Sequence, residues 1–153
     1  MAKFEFKLQP LLNVKTQMED GLKNELGKAI KNLEKEKSLL KCIEDEMGNC
    51  IHRINSESAH GIKVEKLREY NVFISCLKEK AEKQKDNVNI TQKIVDNIRE
   101  RLIKIMQEKE MLEKLKERKY SQFMQECLKE EQRVNDEVIS FKYMNSLAGD
   151  RNG

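Results

Sequence analysis

The chain has 153 residues, of which 37% are charged and only 5% aromatic, with no Trp and a single Pro. That composition argues against a compact mixed core and for long helices within one domain. The formal net charge of +3 is small for so charged a chain, and the surplus is local: residues 1–60 hold 10 basic and 10 acidic side chains, residues 61–120 hold 16 and 11, and residues 121–153 hold 4 and 6. A surplus so interleaved with Glu reads as a solvated helix face, and no nucleic-acid partner is expected from it.

Residues 3–8 alternate charge and bulk, but a lone six-residue strand has nothing to pair with, so an extended lead-in to a helix is expected. Pro10 fits the first helical turn, where its missing N–H costs nothing. From Leu22 a heptad runs through Leu26, Ala29, Leu33, Glu36, Leu40, Ile43, Met47, Cys50 and Ile54, apolar except at Glu36. Before Leu22 the apolar stripe slips by one residue, with Leu11 and Met18 in line with Leu22. Asn55 to Gly61 is the one substantial polar interruption, and Gly61 can take a positive φ there.

A second heptad follows through Leu67, Tyr70, Ile74, Leu77, Ala81, Gln84, Val88, Thr91, Val95, Ile98, Leu102, Ile105, Lys109 and Leu112. Its phase then shifts to Tyr120, Met124, Cys127, Glu131, Val134, Val138 and Phe141. Gly149 is the expected C-terminal stop, with residues 150–153 loose. The fold class is therefore all-α: two long helices, about 9–56 and 63–147, joined by a turn at about 57–62 into a single-domain antiparallel coiled-coil hairpin. With the reversal near residue 58, Leu8 faces about residue 108. The second helix then overhangs from about 110, bare except for the N-terminal phenylalanines. An uncovered apolar seam of that kind reads as an interaction site.

Catalytic signatures are missing: the sequence holds no Gly-rich phosphate loop, no H-E-x-x-H and no nucleophile elbow. His52 and His60, near Cys42 and Cys50, do not have the short converging spacing of a zinc site. No enzyme activity, metal, cofactor or small-molecule substrate is expected. Cys42, Cys50, Cys76 and Cys127 form no C-x-x-C pair and are expected as free thiols in a reducing compartment. No run approaches the ~20 apolar residues of a membrane span, and the N-terminus lacks a secretion-signal core, so a cytoplasmic location is expected.

Two stretches carry a family resemblance. Phe4, Phe6, Leu8, Gln9, Leu11, Leu12, Val14 and Lys15, followed by Glu19, are similar to the N-terminus of the FliJ family of flagellar export proteins. Gly61, Ile62, Val64, Leu67, Arg68, Tyr70, Phe73, Ile74 and Leu77 are similar to that family's post-turn segment. In order and spacing the resemblance spans essentially the whole chain. It implies an antiparallel coiled coil resembling the central stalk of rotary ATPases, working without catalysis in the type III flagellar export apparatus at the cytoplasmic face of the membrane. It also implies three partners: the hexameric export ATPase, whose assembly and activity the protein promotes, the membrane-embedded export gate, and export chaperones that it escorts.

The residues expected at the ATPase ring are Phe4, Phe6, Leu8, Leu11, Tyr120, Phe123, Met124, Val134, Val138 and Phe141. Those expected at the gate, carried over around Gly61, are Ile43, Glu46, Cys50, Phe73, Leu77 and Gln84, with Glu46 and Cys50 standing where the family has aromatic residues. The competing reading is a generic structural coiled coil that dimerises through its C-terminal overhang.

Overall fold

A computed structural model describes residues 2–151 and consists of two helices, α1 (Gln9–Ser58) and α2 (Val64–Asp150), the second much the longer. Its contacts group into two compact units, residues 17–105 and residues 1–16 with 106–153.

The first unit is an antiparallel hairpin. Every seam position expected in it is at least half-buried, from Leu22 to Ile54 on α1 and from Leu67 to Ile105 on α2. Leu77 is 2% exposed and Val95 fully buried, and Leu22, Ile98 and Leu102 form a cluster flanked by Leu26, Ala29 and Ile105. Two polar seam residues meet: the Gln84 amide donates to the backbone carbonyl of Glu36, at 2.8 Å, and to its carboxylate. One mutually satisfied polar layer avoids the penalty of a lone buried amide and also fixes which residues stand opposite.

The reversal lies later than the sequence suggests. α1 persists through Ser58, the turn occupies Ala59 to Lys63, and Gly61 sits at φ +88°. No side chain crowds it, since a Cβ there would meet nothing within 4 Å. The requirement for glycine is the backbone angle alone. Across the turn Tyr70 donates its hydroxyl proton to Glu57 at 3.0 Å, and Lys66 pairs with the same carboxylate at 3.2 Å. Burial of the half-covered ring, then the Glu57 hydrogen bond and charge, push the Tyr70 phenol above its ordinary value near 10.

The second unit joins the N-terminal lead-in to the far part of α2. Residues 2–6 are irregular, Lys7 and Leu8 turn, and the Leu12 N–H donates to the Leu8 carbonyl at 2.9 Å as the helix opens. Leu12 is buried, whereas Leu11 is exposed. Lys15, half-buried, pairs with Glu108 at 2.6 Å.

The expected phase slip before Leu22 is thus absent. Leu12, Lys15, Glu19 and Leu22 keep the 3-4-3 spacing, Glu19 is buried beside Lys23 at 2.9 Å, and Met18 is exposed. Two charged residues at seam positions, next to apolar Leu11 and Met18 one residue off, imitate a shift in phase.

The later turn also moves the N-terminal register. Leu8 lies with Leu115 rather than near residue 108, one heptad further on. α2 stays partly covered at Leu112, Leu115, Lys116, Phe123 and Cys127, and its bare stretch begins at Leu128 rather than about residue 110. Gly149 does not end the helix, which runs to Asp150 before Arg151 turns. The expected looseness at Asn152 and Gly153 falls outside the described residues.

Candidate docking surfaces

All ten residues expected at the ATPase ring fall in the unit built from the N-terminal lead-in and the far part of α2. Phe4 anchors the lead-in, with its ring edge-on to Tyr120 at 5.3 Å and tilted against Phe123 at 5.6 Å. Such aromatic pairs add roughly 0.5–1.5 kcal/mol beyond the area they bury. Phe6 is half-buried beside them, and a groove of about 620 Å³ opens among the lead-in, Leu115, Lys119, Gln122 and Phe123.

Leu8, Leu11, Tyr120 and Met124 stand exposed around this cluster. Phe123 is better covered than Tyr120 and Met124, and of the shifted phase expected from sequence Cys127 alone stays partly covered. Beyond Cys127 the helix has no cover, and every described residue from Leu128 to Arg151 is exposed. Val134, Val138 and Phe141 fall at helical spacing on one face of this arm, with Phe141 66% exposed. Local ion pairs help hold the arm helical: Arg133 pairs with Glu130 at 2.8 Å and with Glu137 at 3.8 Å, each such pair contributing about 0.2–0.5 kcal/mol.

The six gate candidates belong to the hairpin unit and divide by burial. Cys50, Leu77 and Gln84 are buried in the seam, and Ile43 is half-buried there. Glu46 and Phe73 face solvent, Phe73 at 45% exposure. Of that set, these two offer a surface while the hairpin stays closed.

A further surface was not singled out from sequence. Ile90 and Ile94, off the seam of α2, line a groove of about 380 Å³ with Ile98, Lys93, Asn97, Arg101 and Glu25 of α1. The signal was present as two isoleucines one helical turn apart outside the heptad positions.

Among the described residues no group of three or more His, Cys, Asp or Glu side chains could hold a metal ion, and no helix is long and apolar enough to cross a membrane. All four cysteines are free thiols. The geometry defines a class of protein, the all-helical antiparallel hairpins, with two long helices among the described residues. A family model described as the flagellar FliJ protein matches residues 4–148. The chain belongs to that family, and it is a component of the flagellar type III export apparatus. No curated protein and no solved structure matches it.

Proposed function

We propose that this protein is a non-enzymatic stalk of the export apparatus that binds the export ATPase hexamer and promotes its assembly and turnover. The observation that supports the reading most is the bare arm of α2. A helix leaving Val134, Val138 and Phe141 in water over residues 128–151 forgoes burial that a ring lumen would restore. The Phe4, Tyr120 and Phe123 cluster of the same unit supplies a rigid aromatic base for that contact. Differential contact does the work, because a stalk that touched every ring conformation equally would shift none of them.

Engagement of the export gate falls to Phe73 and Glu46 in this reading. Escort of export chaperones and a peripheral position at the cytoplasmic membrane face complete it. The test is to mix the purified chain with the export ATPase and follow hexamer formation and ATP turnover. Both rise with the intact chain and fail to rise when Phe4, Phe6 and Phe141 are changed to Ala. An undiminished response from that variant refutes docking through this unit. A tight dimer in sedimentation, with no response from the ATPase, favours the generic coiled coil instead.

A further inference from the structure

The geometry points to a docking site for an acidic amphipathic helix of a partner protein, laid along one flank of the hairpin over Ile90 and Ile94. The two isoleucines are 57% and 48% exposed, and with buried Ile98 they give the groove an apolar floor. Glu25 forms the opposite lip, so the groove runs between α1 and α2 on a single flank of the unit. A third helix packs into a cleft of this kind by setting its own ridge of side chains into it.

Charge identifies the occupant. The α2 positions that continue the Ile90–Ile94 row are Lys80 and Lys83 on one side and Arg101 and Lys104 on the other. On α1 the row through Glu25 continues to Lys28 and Lys35. Along the stretches of these rows from Glu25 to Lys35 and from Lys80 to Lys104, Glu25 is the one acid, and it is already matched by Arg101 at 3.9 Å. No ion pair with another described residue engages Lys28, Lys35, Lys80, Lys83 or Lys104.

The opposite flank differs. There Glu82 and Asp96 stand among the basic residues and pair with Lys85 at 3.5 Å and Arg99 at 3.8 Å. Between residues 80 and 104 the basic residues of α2 without an ion pair to another described residue, Lys80, Lys83, Lys93 and Lys104, lie beside the groove, and carboxylates flanking an apolar stripe complement them.

Other occupants fit less well. Asn87 and Asn97 bracket the isoleucines, which leaves too little apolar area to insert into a lipid interface. The same flank of a second copy would set lysines against lysines across a two-fold axis. From Lys80 to Lys104 the row extends roughly 36 Å at 1.5 Å per residue, the length of a helix of about two dozen residues. This inference uses no residue of the proposed ring contact and stands or falls separately from it.

The test titrates the full-length protein into a fluorescently labelled synthetic helix of about two dozen residues, with Leu on one stripe and Glu on either side. Anisotropy at low and high salt is the readout. Binding is expected at low-micromolar protein, weaker at high salt, and at least tenfold weaker for the Ile90→Asp/Ile94→Asp variant. Ile139→Asp, on the bare arm, leaves it unchanged. Lys80→Glu/Lys83→Glu weakens the Glu-flanked helix and strengthens a Lys-flanked version of it. The replaced residues are exposed, and circular dichroism verifies that each variant keeps its helices. Equal binding by the isoleucine variant, or failure of the charge exchange, overturns the inference. So does capture by phosphatidylglycerol vesicles, dependent on Ile90 and Ile94, without binding of the acidic helix.

Discussion

Gly61 gives the sharpest stability test because its role reduces to one angle. At φ +88°, with open space where a Cβ would project, substitution there removes no contact and creates no clash with a neighbouring side chain. What remains is the cost of holding an L-residue in the left-handed region, about 1–2 kcal/mol for Ala. Asn tolerates that region and costs less, while a β-branched Val costs more. Gly48 in α1 also has open space around it, at an ordinary helical angle, so the sign reverses. Gly48→Ala is expected to stabilise by about 0.5–1 kcal/mol. Urea unfolding followed by circular dichroism at 222 nm measures the series Gly, Asn, Ala, Val at position 61 alongside Gly48→Ala. A neutral Gly61→Ala, or a Val more stable than Asn, would refute the account of the turn.

Three further outcomes follow from the hairpin. Leu77→Ala, at a side chain 2% exposed, should cost about 2–3 kcal/mol, the low end for a core leucine because a two-helix seam partly closes over the gap; Val72→Ala, on the surface, should change the urea midpoint little. Gln84→Leu should destabilise by about 1 kcal/mol, since it strips Glu36 of its amide partner. Glu36→Leu/Gln84→Leu together should recover that loss or more, and a double-mutant cycle reads the coupling. Tyr70 titrates above its ordinary value because of burial and Glu57, so the neutral phenol belongs to the fold. Its contribution is complete below pH ~10 and is lost as pH rises through the raised value. Thermal melts of the wild type should therefore fall more steeply with alkaline pH than those of Tyr70→Phe, and parallel curves would contradict the assignment.

The heptads made most of this fold readable, because a two-helix seam writes burial into the sequence at a 3-4 spacing with little interference from distant residues. Glu36 and Gln84 stood out as breaks in that pattern, and the structure joins them to each other. Lys15 and Glu19 misled for the same physical reason in reverse. Charged residues at seam positions are satisfied by Glu108 and Lys23, partners that a hydrophobic pattern cannot display.

The turn lies a few residues later than the polar run suggests because Asn55 to Ser58 stays helical, and a shift at a reversal doubles in the facing register. The docking residues were less legible. Phe73, beside the seam residue Ile74, is exposed, but Cys50, Leu77 and Gln84 serve the seam. The Ile90–Ile94 groove depends on Glu25 from the other helix, a neighbour that only the packed hairpin supplies.

The central claim is that the bare arm of α2 is what the export ATPase grips, and ATP turnover by that ATPase measures it most directly. The intact protein is expected to raise turnover. Val138→Asp/Phe141→Asp, both on the exposed arm, should leave helicity and unfolding unchanged and abolish the rise, while Phe73→Asp preserves it. Stimulation by the arm variant equal to that of the wild type would contradict the account.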